Sequence, residues 1–142
     1  MQLIIINGPN LNLLGKREPE IYGAQSFDDY LTELRQRFPG VTIDYFQSNW
    51  EGGIVDKIQE CGFSFDGIII NAGGFSHTSI AMADALGAVT TPAIEVHISN
   101  TFAREAYRHH DVLTSKCKGM IVGLGLEGYA MAVRYFVHAT RL

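Results

Sequence analysis

Cysteine, basic charge and long apolar runs are all scarce in this chain of 142 residues. The two cysteines, Cys61 and Cys117, are far apart and form no CxxC pair, which excludes a disulfide or metal framework. A single disulfide stays open, and we favour reduced thiols. Only 11 Lys and Arg residues stand against 15 Asp and Glu residues, and the formal charge of −4 argues against bulk nucleic-acid binding. No run approaches the roughly 18 apolar residues of a membrane span, and Met1–Asn7 lacks the basic flank and cleavage site of a signal peptide. We therefore expect a cytoplasmic protein with neither a nucleic-acid nor a membrane partner.

The length and the apolar content predict a single domain over residues 1–142. Cores in chains of roughly 100–200 residues rarely split. The chain is also too short for a (β/α)₈ barrel, which needs about 250 residues. Hydrophobic residues make up 46% of the sequence and aromatic residues 11%, which is ample material for a core and excludes a disordered chain.

Short apolar runs rich in β-branched residues alternate with stretches of helical spacing. The runs are Leu3–Ile6, Val41–Phe46, Gly67–Ile70, Ala93–Ile98 and Met120–Leu124. Because they are continuous rather than alternating, they are typical of a parallel sheet that is covered on both faces. The helical stretches are Phe27–Phe38 with Ser26 as N-cap, Ile54–Ile58, Ala81–Leu86 and Glu127–Ala139.

This alternation predicts a flavodoxin-like α/β fold with three layers, αβα. The expected sheet is doubly wound, with five parallel strands in the order 2-1-3-4-5, and its ligands bind outside the carboxyl ends of the strands. The last helix has little polar surface around Tyr135, Phe136 and Val137, which predicts that it is buried against another subunit.

Polar residues cluster where the first strand ends. Three asparagines stand within the six residues Asn7–Asn12, and their amides can orient a polar ligand. Asparagine and glycine at a strand end can also serve only the turn, because they tolerate left-handed backbone angles. We favour the functional interpretation of this segment.

Glycines then bracket a polar segment, Gly15–Gly23, that carries Arg17 and Tyr22. One interpretation is a lid whose glycine ends absorb a closing motion and bring both side chains to the strand ends. Tyrosine has a pKa near ~10, so it can act as a base near neutrality only if a group such as a guanidinium stabilises the phenolate. A solvated surface loop is the other interpretation, and the residues alone favour it.

The third strand ends in a glycine-rich turn whose backbone N–H groups can bind a carboxylate or phosphate. Thr78 or Ser79 can equally be only a helix N-cap. His77 and Asp84 are two helical turns apart, so they share one face if the helix starts by His77. Such a pair is either an ordinary surface pair or part of a site, and its position at a strand end favours the site.

In the fourth strand, Glu95, His97 and Ser99 point the same way because alternate residues share a face. A lone strand histidine is usually a satisfied core residue, but a carboxylate beside it predicts a general acid whose imidazole Glu95 orients. Farther on, Arg104 and Arg108 share a face if a helix forms there, and they either clamp an anion or lie in solvent.

Two further patterns suggest cofactors, and we reject both. The sequence His109-His110-Asp111 lacks the spaced partner that a zinc site requires. The GxGxxG pattern at Gly123–Gly128 follows the last strand rather than the first, which favours a tight turn over a dinucleotide site. A flavodoxin-like module that binds a flavin or nucleotide is the alternative that this pattern leaves open.

Taken together, these segments resemble the type II 3-dehydroquinate dehydratases, also called type II dehydroquinases. The resemblance covers essentially the whole chain. Its motifs in order are NGPNLNLLG from Asn7, REPEIYG from Arg17, NAGGFSHTS from Asn71, EVHISN from Glu95, REAYRHH from Arg104 and GLGLEGY from Gly123. The sequence departs from the family at Trp50, Gly74, Phe75, Ser76 and Ala83. The changes at Phe75 and Ala83 can alter the pocket wall or the trimer contacts, and they leave open a related hydro-lyase for another hydroxy-keto acid.

The resemblance implies dehydration of 3-dehydroquinate to 3-dehydroshikimate in aromatic biosynthesis or quinate breakdown, without cofactor or metal. It also implies a homododecamer built as a tetramer of trimers. In the implied roles, Tyr22 is the base, Arg17 holds it as tyrosinate, and Asn10 holds the water that stabilises the enolate. His97 then protonates the departing hydroxyl and Glu95 orients it. The implied substrate-binding residues are Asn71, His77, Asp84, Ile98, Ser99 and Arg108.

Overall fold

The computed structural model describes residues 1–16, 20 and 24–139. Within this part of the chain there are five strands and four α-helices, which alternate except between the last two strands, where short 3₁₀ turns make the connection. The strands are β1 (Gln2–Asn7), β2 (Thr42–Gln47), β3 (Gly67–Asn71), β4 (Ala93–His97) and β5 (Gly119–Val122). The helices are α1 (Phe27–Arg37), α2 (Glu51–Cys61), α3 (Ile80–Ala88) and α4 (Glu127–Ala139). The five predicted strands and the helices predicted at Phe27–Phe38, Ile54–Ile58, Ala81–Leu86 and Glu127–Ala139 are present, with boundaries at most three residues from the predicted ones.

All strands are parallel, and they form one sheet in the order β2-β1-β3-β4-β5. This confirms the predicted order. The chain reverses its winding direction between β1 and β3, where Asn7 of β1 pairs with Asn71 of β3. In doubly wound sheets such a switch point opens a crevice at the carboxyl ends of the strands.

Two apolar clusters cover the two faces of the sheet, and they confirm the three-layer architecture. Leu3 and Ile5 of β1 point to the face that α1 and α4 cover, whereas Ile4 and Ile6 point to the face that α2 and α3 cover. All four side chains are at most 3% exposed. A strand buried on both faces needs apolar residues at consecutive positions, which explains the uninterrupted runs in the sequence.

The caps of two helices follow from their sequences. The Ser26 hydroxyl accepts a hydrogen bond from the Asp29 N–H at 3.1 Å, which confirms the predicted N-cap of α1. At α3 the Ser79 hydroxyl accepts from the Met82 N–H at 3.0 Å, so Ser79 rather than Thr78 is the cap.

The apolar side chains of α4 pack mainly on the chain's own sheet. Tyr129, Val133 and Phe136 are at most 3% exposed, and the Phe136 ring occupies the space where Gly67 lacks a side chain. Only Tyr135 presents a large exposed ring, 45% accessible. Packing within one chain therefore accounts for most of the apolar content of this helix, and burial against another subunit stays a prediction. None of the helices among the described residues has the length and apolar character needed to cross a membrane.

Candidate active site

A polar cleft of about 130 Å³ lies at the carboxyl ends of β1, β3 and β4. This is the position that the switch-point rule predicts. Of the residues predicted for the site, the cleft is lined by Asn10, Asn71, His77, His97, Ile98, Ser99 and Arg108. Glu95 lies directly behind it, whereas Arg17 and Tyr22 lie outside the described residues.

The segment after β1 combines a turn requirement with a lining role. A side chain at Gly8 would put its Cβ 2.4 Å from the carbonyl oxygen of Ala72, so only glycine fits there. The Gly8 N–H donates to the Asn71 carbonyl at 2.7 Å, which ties the ends of β1 and β3 together. Asn10 has a left-handed backbone with φ of 71° and also lines the cleft. Both interpretations of the asparagine cluster therefore apply at Asn10.

A buried hydrogen-bond chain orients Asn71 at the end of β3. The Asn71 Nδ2 donates to the Tyr129 hydroxyl at 2.9 Å, and the Tyr129 hydroxyl donates to Asn7 Oδ1 at 2.8 Å. The Asn71 Oδ1 accepts from the Gly73 N–H at 3.2 Å. An amide nitrogen carries two N–H bonds, so the second N–H of Asn71 is the group it can offer to a ligand. Sequence reasoning missed Tyr129, because nothing in a helix sequence shows which polar group its tyrosine meets.

His77 reaches the cleft by a route that differs from the predicted one. It ends a short 3₁₀ turn, Gly73–His77, and α3 begins only at Ile80, so the argument from one continuous helical face does not hold. The His77 Nδ1 lies 2.7 Å from the His110 carbonyl oxygen. Because a carbonyl only accepts, Nδ1 carries the proton. Asp84 is exposed on α3 and does not line the cleft of its own chain.

His97 and two carboxylates form the most buried ionisable group of the site. The His97 Nε2 lies 2.5 Å from Glu95 Oε2 and 3.4 Å from Asp111 Oδ2. Glu95 is fully buried, and its second oxygen accepts from the Thr114 hydroxyl at 2.8 Å. The contact between Glu95 and His97 is the one that the shared strand face predicts, whereas Asp111 is an addition that comes from a loop remote in sequence.

The three groups shift one another's protonation. Burial raises the pKa of Glu95 to about 7. Burial alone would lower the pKa of His97, but the hydrogen bonds and charges of Asp111 and Glu95 outweigh it and raise that pKa to about 9. Burial also opposes ionisation of Asp111, yet hydrogen bonding with His97, then with Glu95, and from two backbone N–H groups holds its pKa below its usual range. Near neutrality the cluster therefore holds a charged imidazolium at the edge of the cleft.

A cluster of this composition raises the question of a metal, because its ligand atoms lie within 4.8 Å of one another. Zinc stands about 2.0–2.2 Å from each nitrogen or oxygen ligand, and the ligands stand roughly 3 Å or more apart around it. The 2.5 Å contact between Glu95 Oε2 and His97 Nε2 is closer than two ligands of one zinc ion and is a short, charge-assisted hydrogen bond. The arrangement fits proton transfer better than metal binding.

Two arginines line one side of the cleft, although no α-helix forms there to place them on one helical face. The segment instead forms two short 3₁₀ turns, Thr101–Ala103 and Ala106–Arg108. Arg104 donates to the Ser99 hydroxyl at 3.2 Å, and Arg108 donates through Nε to Glu105 at 2.7 Å. Both guanidinium groups line the cleft and provide a positive wall for an anionic ligand.

The GxGxxG segment is a tight turn, as its position in the chain predicts. Gly123 and Gly125 have φ of 84° and 65°, which favour glycine. Their N–H groups donate to the carbonyls of His97 and Ile98 at 3.1 and 3.0 Å. These N–H groups fasten the end of β4 and so are already engaged, whereas a dinucleotide site needs them for a pyrophosphate.

The residues at which this sequence differs from the family that it resembles lie mostly outside the cleft. Phe75 and Ala83 pack against the core under α2 and α3, and neither lines the cleft. Trp50 is 78% exposed. Gly74 does line the cleft, where it leaves the wall without a side chain.

Comparison with known proteins gives a consistent result over the whole chain. The family model for dehydroquinase class II matches residues 1–137. The chain is 47% identical over 136 residues to 3-dehydroquinate dehydratase of Bacillus pumilus, covering 94% of this chain and 92% of that protein. It is 52% identical over 135 residues to the catabolic 3-dehydroquinase of Aspergillus clavatus, covering 94% and 90%. The crystal structure of type II dehydroquinase from Butyrivibrio crossotus superposes with a TM-score of 0.93 at 45% identity, covering 96% of this chain and 97% of the other.

Proposed function

This chain belongs to the dehydroquinase class II family, whose enzymes dehydrate 3-dehydroquinate in the shikimate pathway, and we propose that it does so by stepwise elimination through an enolate. In this proposal Tyr22 is the base and His97 is the general acid. The observation that carries the acid's role is the geometry of His97, whose imidazole lines the cleft while Glu95 holds its Nε2 at 2.5 Å.

The reaction requires two separate proton carriers. The Tyr22 phenolate takes the proton alpha to the ketone, and the resulting enolate keeps the electron pair. Hydroxide is a poor leaving group, so the imidazolium of His97 protonates the departing hydroxyl and one molecule of water leaves. The enolate pair then forms the new carbon–carbon double bond, and a proton returned from Tyr22 to His97 restores both groups. A charged imidazolium near neutrality suits this role, because an acid must hold its proton at the working pH.

The base of the proposal, Tyr22, and its partner Arg17 lie outside the described residues, so their roles rest on the family and on chemistry. A tyrosine pKa near ~10 must fall by about 2–3 units for the phenolate to be populated near neutrality, which needs ~3–4 kcal/mol. A guanidinium a few ångströms away supplies an interaction of that size. Asn10, at the mouth of the cleft, would hold the water that donates to the enolate oxygen.

We assign substrate binding to the remaining lining residues. The free N–H of Asn71 and the Ser99 hydroxyl suit the hydroxyls of 3-dehydroquinate. The Arg108 guanidinium and the N–H groups at Ile98 and Ser99 suit its carboxylate. His77, with Nδ1 protonated, offers Nε2 as an acceptor when neutral.

The last substrate-binding residue of the proposal, Asp84, would act at the cleft of a neighbouring subunit. It is exposed on α3 and away from the cleft of its own chain, so contact with substrate requires a neighbouring subunit. We propose a homododecamer built as a tetramer of trimers, acting in the cytoplasm without a cofactor or metal. Sedimentation of the purified protein tests the assembly directly.

A steady-state assay with 3-dehydroquinate tests the reaction. The ultraviolet absorbance of the conjugated enone should rise with chelator present and with no added cofactor. Absence of enone formation by well-folded protein would refute the proposed substrate and favour another hydroxy-keto acid.

The two proton carriers are tested separately. Tyr22→Phe and Arg17→Ala should each lower turnover strongly with the fold intact, and near-normal turnover of Tyr22→Phe would contradict its role as base. His97→Ala should retain slow exchange of the alpha proton with solvent but should not dehydrate the substrate. Unimpaired dehydration by that variant would refute the acid role.

A further inference from the structure

We propose that Asp111 is a positioning residue that, as a second carboxylate beside His97, keeps the imidazole protonated and correctly oriented for proton donation. This inference rests on the proposed role of His97 as the acid. It assigns a function to a side chain that neither the sequence motifs nor the strand geometry points to.

One carboxylate oxygen of Asp111 faces His97, and the other is held by backbone N–H groups of its own loop. Its Oδ2 lies 3.4 Å from His97 Nε2, and its Oδ1 accepts from the N–H groups of Leu113 and Thr114 at 2.7 and 3.0 Å. The Thr114 hydroxyl in turn donates to Glu95 at 2.8 Å. One short loop thus fixes the position of Asp111 and also holds the carboxylate that orients His97.

The two carboxylates have different tasks. A protonated imidazole has one N–H at Nε2, and the 2.5 Å contact assigns it to Glu95. Asp111, at 3.4 Å, is the more distant of the two carboxylates, and it adds both hydrogen bonding and negative charge beside the same nitrogen. Glu95 is fully buried and its pKa is raised to about 7, so near neutrality it is a partly protonated partner. Asp111 accepts two backbone N–H bonds and stays ionised, so it supplies the constant negative charge that the imidazolium needs.

Other charged and titratable groups face the same imidazole or its carboxylates. The His77 ring lies 6.1 Å from the His97 ring, and the guanidinium groups of Arg104 and Arg108 line the same cleft. The charges of the two arginines oppose the charge on His97. The Cys117 thiol is uncharged near neutrality, because burial and then the charges of Glu95 and Asp111 raise its pKa to about 12. The surroundings on the cleft side therefore favour loss of the proton, and Asp111 counteracts them.

Substitution with asparagine separates charge from structure. In Asp111→Asn the amide oxygen can still accept from Leu113 and Thr114, so the loop is preserved, whereas the charge beside His97 is lost. In Asp111→Ala both are lost. Asp56→Asn removes an exposed aspartate of α2 that does not line the cleft, and it serves as the matched control.

In Asp111→Asn the alkaline limb of the kcat–pH profile should shift to lower pH by about one pH unit or more. The reason is that an opposite charge within 4–6 Å moves a pKa by roughly 1–3 units. KM and the melting temperature should stay close to those of the unsubstituted protein and of Asp56→Asn. An unchanged alkaline limb in a folded Asp111→Asn protein would overturn the inference, as would loss of activity only in Asp111→Ala. If Asp111→Asn does not fold, Asp111→Ser, whose hydroxyl can accept the same N–H groups, is measured in its place.

Titration of the His97 imidazole by carbon-13 NMR provides a readout that does not depend on turnover. The resonance is assigned by its loss in His97→Gln. Asp111→Asn should lower the midpoint of this titration by about one unit or more. An unshifted midpoint overturns the inference even if turnover falls. A shifted midpoint in a protein that does not dehydrate 3-dehydroquinate leaves the Asp111–His97 coupling intact and refutes only the proposed function.

Discussion

Removal of one buried hydroxyl, in Tyr129→Phe, should both lower the free energy of unfolding and raise KM for the substrate. Tyr129 is fully buried, and burial holds its pKa above the usual range, so the hydroxyl stays protonated and donates to Asn7 at 2.8 Å. The same oxygen accepts from Asn71 at 2.9 Å. It is the only link between these two asparagine side chains that the described residues make, and phenylalanine cannot replace it.

The size of the stability loss follows from the two asparagines, Asn7 and Asn71, that lose their hydrogen-bond partner. Asn7 is fully buried and Asn71 is 4% exposed, so water does not easily replace the lost hydroxyl. A buried polar group left without its partner costs about 1–3 kcal/mol. Two such groups give a loss of about 2–6 kcal/mol in the free energy of unfolding, a large part of the roughly 5–15 kcal/mol that a domain has. The freed Asn71 amide should also raise KM by about 10-fold, the equivalent of ~1.4 kcal/mol.

Urea unfolding at one fixed protomer concentration measures the loss, since assembly would otherwise change the apparent stability. Tyr30→Phe is the matched control. Tyr30 is 3% exposed in the same apolar cluster, and its hydroxyl has no side-chain hydrogen-bond partner in the described part of the chain. That change should alter stability by less than about 1 kcal/mol. Equal losses in the two variants, or an unchanged KM in Tyr129→Phe, would refute the argument that the hydroxyl orients Asn71.

Three other predictions follow from the same strand ends. Glu95→Gln should move the alkaline limb of the kcat–pH profile down by about 1–3 units, because it removes the charge 2.5 Å from His97, and an unmoved limb would contradict this. Gly8→Ala should cost about 2–3 kcal/mol in urea unfolding, since its Cβ would lie 2.4 Å from Ala72 backbone, whereas Gly40→Ala has open space and should cost little. The folded-state pKa values of Glu95 and His97 are raised to about 7 and about 9 from unfolded values of 4.5 and 6.5, so the folded chain binds more protons across this range. Stability should therefore fall as pH rises from about 5 to 9, and His97→Gln should flatten the fall above pH 6.5; a rise in stability over that range would contradict the assignment.

The fold was largely predictable because two local signals determine it. Consecutive apolar residues such as Leu3–Ile6 fit only a strand that is covered on both faces, and the intervening helical spacing supplies the covering layers. The connections then leave few topologies. The short turns were not predictable in the same way. Around Arg104 and Arg108 the spacing suggests a helix, but the segment has no apolar face to bury, and it forms 3₁₀ turns instead.

The candidate site was predictable only where its geometry is local. The pairing of Glu95 with His97 follows from the alternation of one strand, and it is present. Asp111 and Tyr129 meet their partners through the tertiary fold, and no periodicity connects residues so far apart in sequence. The condition for His77 and Asp84 to share a helical face is not met, because the helix begins only at Ile80, and their roles in binding stay a prediction.

Hydrogen bonds from backbone N–H groups and from buried side chains hold the strand ends that carry His97, Ile98 and Asn71. The Gly123 and Gly125 N–H groups fasten the His97 and Ile98 carbonyls, and the Gly8 N–H fastens Asn71. These bonds fix the strand ends, so the side chains of the cleft need little reorganisation when charge develops in the reaction. The glycines at these positions are therefore as necessary to the proposed chemistry as the acid is. Substitution of any of them should lower turnover through displaced strand ends while leaving the cluster around His97 chemically complete.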